Sequence, residues 1–267
     1  MKKCVLGLLC ACIFSIVIIG CNKNDRSTPK VAVVDSLPGN PKNPYDSFGY
    51  WHNVILDSLD YQQSVGKCKS PETYCKYVAG LCKRKSWPSH KHDHFKEIPA
   101  TVLNFLTDTD GFIDRLNWSD SVKSKTKVLF KRLESVATGV CSYQKLKAII
   151  TGFEQEILES DLPPFDKEVL LKASSTARYS GYRWSKQPEL TQEFSPADLV
   201  TYYQKQDPNK TIARATYKQA SLFKRVGRWL AVTGIDITGA LLTLSLADAA
   251  EVSGYGRLTM ELLDRFK

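Results

Sequence analysis

Apolar residues recur along this chain at helical rather than strand spacing. In "NPYDSFGYWHNVILDSLDYQ" (43–62) a turn leads into Phe48, Trp51, Ile55, Leu56 and Leu59, three or four residues apart on one helix face. "KSPETYCKYVAGLCKRK" places Ser70 as N-cap and Pro71 at the first helical position, which predicts a helix near 71–85. "IPATVLNFL" and "TDTDGFIDRLNW" predict two short helices joined by a turn. "SDSVKSKTKVLFKRLESVATGV" (119–140) carries Val122, Val128, Leu129, Leu133 and Val136 as an amphipathic stripe, and 142–160 repeats the pattern through Leu146, Ile149, Ile150, Phe153 and Ile157. "DLPP" at 161–164 is a break, after which a helix runs to about Ser180. Ser195 and Pro196 open another helix over 195–206, and from Ala213 the chain reads as helical to its end, with a break near 254–256. No run of alternating strand residues appears. The expected fold is all-α: a single helical-bundle-like domain of about seven to nine helices over residues 45–267.

The first residues follow another pattern. Two lysines precede an apolar run from Cys4 to Gly20, as in a secretory signal over residues 1–20. The run is about 17 residues long, near the lower limit for crossing a bilayer, so an uncleaved anchor is the competing reading. It ends in "IIGC", Ile18 to Cys21, which resembles the lipobox of bacterial lipoproteins. That resemblance implies a mature chain that begins at Cys21, carries acyl chains there, and is held on a membrane without spanning it. Asn22 is not the aspartate that marks inner-membrane retention in enteric bacteria, which favours an outer-membrane address with either face open. Residues 21–44 are polar and rich in Pro and Asn, and read as a flexible tether.

Charge and cysteine content refine this picture. The chain of 267 residues has a formal net charge of +9, and removing the signal, with two lysines and no acids, leaves +7. That balance favours anionic neighbours such as lipid head groups or acidic proteins; nucleic acid is not an expected partner of an exported lipoprotein. Four cysteines remain beyond Cys21: Cys68, Cys75, Cys82 and Cys141. In an oxidising compartment they suggest two disulfides. Cys75 and Cys82 share a helix about 10 Å apart, too far to bridge, which leaves Cys141 to pair with Cys75 or Cys82 or to stay free. Cys68–Cys75 with Cys82–Cys141 is the favoured arrangement.

Two segments resemble one group of sequences. Asn43, Pro44, Tyr45, Asp46, Gly49, His52, Asn53, Leu56 and Asp57 resemble the segment that opens the folded part of many secreted lipoproteins of Bacteroidota and some Gram-positive bacteria. Asp236, Gly239 and Ala240, in "RWLAVTGIDITGALLTL", resemble the apolar tail of the same proteins, without its dense glycines. The resemblance implies export to a bacterial envelope and no particular chemistry.

Candidate chemistry is sparse. His90, His92 and His94 alternate, so an extended segment would turn all three imidazoles to one side, where zinc, nickel or copper could bind weakly. The stretch is one residue short of the His-x-His-x-Asp-His element of metallo-β-lactamase-like hydrolases, and no histidine follows to complete that set. "TDTDGFID" aligned on Gly111 offers Leu106 and Asn117 where a calcium loop needs its first and last ligands, so a helix-capping turn is expected. "RYSGYRW" interleaves Arg178, Tyr182, Arg183 and Trp184, which would serve a partner surface if exposed and the core if buried. His52 lies beside Trp51 and near Asp57 with no nucleophile elbow in the chain, so Asp46 is expected to cap the first helix and His52 to be half buried. Residues 229–247 are the most apolar mature stretch. Asp236 at their middle argues for a core helix over a membrane span and needs a partner, for which Arg225 and Arg228 are close in sequence. With no complete catalytic set, the expectation is a non-enzymatic, lipid-anchored binding protein, an adaptor or immunity-type factor with a protein partner in the envelope. The alternatives are a metal-binding protein or hydrolase using His90, His92 and His94, and a membrane-active protein using 229–247.

Overall fold

Helical spacing in the sequence becomes helix in the structure. A computed structural model describes residues 37–67, 71–85, 104–106, 108–137, 142–187, 193–194, 226–243, 249–250 and 252. The chain divides into two compact units, Met1–Leu37 and Pro38–Lys267, and the fold described here is that of the second. Its helices are α1 (Asp46–Ser64), α2 (Pro71–Lys85), α3 (Thr109–Asp114), α4 (Asp120–Ala137), α5 (Tyr143–Glu159), α6 (Pro164–Trp184) and α7 (Arg228–Thr243). One antiparallel pair of two-residue strands, β1 (Glu193–Phe194) and β2 (Val226–Gly227), matches Glu193 with Gly227 and Phe194 with Val226. The architecture is all-α.

Local chemistry sets the helix ends. Asn43 forms an Asx turn before α1: its Oδ1 accepts from the Tyr45 amide at 2.8 Å, and its carbonyl accepts from the Asp46 amide at 3.0 Å. Gly66, with φ 73°, closes the other end of α1 in the left-handed conformation. Asp108 Oδ1 accepts from the Gly111 amide at 3.0 Å, so "TDTDGFID" is the capping turn of α3. Ser119 Oγ accepts from the Val122 amide at 3.2 Å to cap α4, and Ser142 Oγ accepts from the Lys145 amide to cap α5. Pro164 opens α6, which runs one turn beyond the expected end at Ser180.

The centre of the unit is α6, which packs against α1, α4, α5 and α7. A helix buried over most of its surface is weakly amphipathic, and α6 buries Ser174, Ser175, Thr176, Ala177, Arg178, Ser180 and Gly181, leaving Lys172, Tyr179 and Arg183 partly exposed on one stripe. These small side chains let neighbouring helices approach it closely. The surrounding core takes Ile55, Leu56 and Leu59 from α1; Val122, Leu129, Phe130 and Leu133 from α4; and Leu146, Ile150, Phe153 and Ile157 from α5. Burying each such side chain contributes about 1.5–3 kcal/mol. Phe105 sits between Phe112 and Phe130, with ring centroids 5.8 and 5.2 Å away.

Several expectations need correction. Val128 is 37% exposed, because Val122, Thr126, Leu129, Phe130 and Leu133 define the buried stripe and place residue 128 opposite it. In α7, Val232, Ile235, Ile237, Ala240 and Leu241 are buried, which makes it a core helix; no helix among the described residues is long and apolar enough to cross a membrane. The folded unit starts at Pro38, so residues 38–44, which composition assigns to the tether, belong to the fold. The predicted helix over 195–206 and the cysteine pairings of Cys68, Cys75, Cys82 and Cys141 lie outside the described residues or side chains.

Candidate functional site

Polar residues of the segment over 43–57, Asn43, Asp46 and Asn53, converge on α6. Arg178 and Glu154 are both fully buried, and Arg178 Nε donates to the two Glu154 carboxylate oxygens at 3.0 and 2.9 Å. An ion pair taken out of water survives only if its remaining donors and acceptors are filled. Here they are. Glu154 also accepts from Asn40 Nδ2 at 2.7 Å, Asn43 Nδ2 at 2.6 Å and Ser174 Oγ at 3.2 Å. The two terminal nitrogens of Arg178 donate to the Pro38 carbonyl and to Asp46 Oδ1. The second amide hydrogen of Asn43 goes to the Leu171 carbonyl at 2.9 Å.

Asp46 is therefore not the N-cap of α1. Its carboxylate accepts from the Asn40 amide at 3.0 Å, from the Tyr179 hydroxyl at 3.0 Å and from Arg178, and so fixes the segment before the helix onto α6. Burial, then the Asp46 charge and the hydrogen bond to it, push the Tyr179 phenol up to about 12, which keeps it a donor. One step along α1, Ser175 Oγ donates to the Asp46 carbonyl at 2.8 Å and accepts from the Gly49 amide at 3.0 Å. Asn53 Nδ2 then donates to the Tyr179 carbonyl at 2.7 Å. Backbone groups of both helices are thus bonded across the crossing.

Asp236 of α7 meets the same helix at its far end. Ser180 Oγ and, at 2.6 Å, Trp184 Nε1 donate to Asp236 Oδ2, so α6 supplies partners of Asp236; the side chains of Arg225 and Arg228, expected in that role, lie outside the described residues or side chains. Gly239 lets α7 pass close to residue 249, where a β-carbon would stand 2.9 Å from the Ala249 Cα. His52 is completely buried rather than half buried. Burial lowers its pKa; Asp236 and the Asn53 side chain oppose that shift, and Arg183 adds to it. The His52 Nδ1 lies 3.2 Å from Asn53 Oδ1.

The partner surface anticipated from "RYSGYRW" is not formed by these residues. Arg178 and Trp184 are buried, Tyr182 packs against the core with its ring 5.1 Å from Tyr143, and Arg183 pairs with Asp57 and Asp60 of α1. His90, His92 and His94 lie outside the described residues, and among those described no three His, Cys, Asp or Glu side chains gather to hold a metal ion.

Sequence reasoning passed over Glu154, Arg178 as an ion-pair partner, Ser174, Ser175 and Asn40. One signal was available for the first: Glu154 falls four residues after Ile150, inside the apolar face of α5. Chemically, the cluster orders three helices and the segment leading into them. Its Arg178 and Glu154 are consumed by one another and by their neighbours, while Asp46, at 24% side-chain exposure, Asn40, Asn53 and Tyr179 stay partly exposed. No protein-family model, curated protein or solved structure matches the chain.

Proposed function

We propose that this is a lipid-anchored cell-envelope protein that acts by binding a protein partner, as an adaptor or immunity-type factor, rather than by catalysis. The observation that carries this reading is how the folded unit uses its polar interior. Asn43, Asp46, Asn53 and Asp236 each hold one helix to another. A catalytic group must reach a substrate, whereas these groups serve a rigid helical body. Such a body, presented on a leash from Cys21, suits display to a partner. The lipobox-like "IIGC" supplies the anchor and the basic balance suits an acidic neighbour.

Two measurements test this. Mass spectrometry of the N-terminal peptide from native membranes should find acyl chains on Cys21; an unmodified cysteine rejects the anchor. Chemical crosslinking before detergent extraction from the native organism should yield one reproducible heteromeric species. A chain that is always recovered alone rejects the binding role.

A further inference from the structure

We infer that the outward face of α4 is a docking surface for an anionic lipid bilayer, an inference that rests on the lipid-anchored reading above. The buried stripe of α4 leaves the opposite side to Ser121, Ser124, Val128, Lys131 and Ser135, all exposed. Lys123 and Lys127 flank this side along one edge, and Lys125 and Arg132 along the other. Their arrangement follows from helical geometry, since residues four apart share a row.

The positive charge of this face is only partly neutralised within the protein. Lys127 pairs with Asp114 at 2.7 Å, and Arg132 pairs with Glu156 at 2.8 Å through two parallel hydrogen bonds. Lys123 and Lys131 make no ion pair among the described residues. Lys125 stands near Glu156, whose charge Arg132 already engages; Arg132, then Lys125, hold that carboxyl below its usual range. The helix carries five basic residues against Asp120 and Glu134. Val128, 37% exposed, sits between the two basic edges as an apolar contact.

Charge complementarity and reach select the occupant. Lysines near an anionic leaflet are attracted within about a Debye length, roughly 8–10 Å in physiological salt. An acylated Cys21 lies about 17 residues before Pro38, so the bilayer stays within roughly 60 Å of the folded unit. Tethering converts docking into an intramolecular event, and weak contacts by a few lysines then suffice. Docked, the unit would lie with α4 on the leaflet and its other faces turned away.

The test uses the full lipidated protein in vesicles of phosphatidylcholine alone or with added phosphatidylglycerol, and follows acylation of individual lysines by an amine reagent. Lys83, exposed on α2, is the internal reference. In anionic vesicles Lys123, Lys125 and Lys131 should react at least about fivefold more slowly than in neutral ones, with the difference lost at high salt. A triple variant, Lys123→Ser, Lys125→Ser and Lys131→Ser, changes only surface residues; its Lys127 should label at the same rate in both vesicles. Equal labelling of the wild-type lysines in both vesicles overturns the inference while leaving the anchor intact. Should Cys21 prove unacylated, docking is upheld if the chain still sediments with anionic vesicles through these lysines. It falls together with the anchor if the chain stays in solution.

Discussion

At Gly49 a β-carbon would lie 2.4 Å from the Ser175 carbonyl oxygen and 2.6 Å from its Oγ, closer than any real contact. Backbone cannot yield as a flexible side-chain end can, so Gly49→Ala must push α1 off α6 and break the Gly49 amide bond to Ser175. Overpacking of this kind costs about 1–3 kcal/mol, and a urea melt should show the midpoint falling with the slope unchanged. Glu154 carries a larger share. Glu154→Ala leaves buried Arg178 with only the partly exposed Asp46 carboxylate and strands the amides of Asn40 and Asn43, a loss of about 3–5 kcal/mol. The double replacement Glu154→Leu with Arg178→Met should recover much of this, because it removes both charges; a double variant no more stable than Glu154→Ala alone would contradict the account. The motif residues were visible in the sequence as a pattern, but their purpose was not. Spacing can show that Glu154 interrupts an apolar face. It cannot show that the compensating cation sits 24 residues later, or that two asparagines before the first helix complete the set.

Helix by helix, the periodicity was a good guide wherever one face meets water. The bounds of α2, α4 and α5 follow from caps and stripes that the sequence displays, with Val128 the exception. It is weaker for α6, whose buried run of Ser, Thr and Ala has no distinct apolar side because most of the helix surface is covered by neighbouring helices. α6 continues past the expected end at Ser180 because Gly181 is a buried helical residue. Where α1, α6 and α7 meet, His52 brings pH dependence. Its folded pKa lies below the ordinary value of 6.5, chiefly because burial disfavours the imidazolium. As pH falls through the unfolded value, the unfolded chain takes a proton that the folded one resists, so stability drops with decreasing pH. Above that value the contribution is constant. Denaturation between pH 7 and pH 5 should show this decline, and His52→Gln should flatten it in that window. An unchanged slope in the variant would assign the dependence to another group.

For the molecule as a whole, fold class was readable because helix caps and stripes are local, while the start of the folded unit was not. "SLPGNPKNP" has the composition of a linker, and composition is silent about an asparagine amide that reaches a buried carboxylate over a hundred residues away. Residues 38–44 therefore belong to the fold and close the polar centre of the unit. A chain that starts at Pro38 keeps the Pro38 carbonyl on Arg178 and the amides of Asn40 and Asn43 on Glu154. A chain that starts at Tyr45 loses all three while keeping every helix of the described core. Each hydrogen bond to a charged partner contributes about 1.5–3 kcal/mol, so the loss of two amides alone should remove about 3–6 kcal/mol, much of the 5–15 kcal/mol that typically holds a domain together. Thermal melts of the two truncated chains at the same pH measure the difference. The chain from Tyr45 should melt far lower than the chain from Pro38, and Glu154→Ala should depress it much less than it depresses the longer chain, since two of the groups that Glu154 serves are already gone. Equal melting temperatures would show that residues 38–44 add nothing to the stability of the unit and that Asn43 does not complete its polar centre.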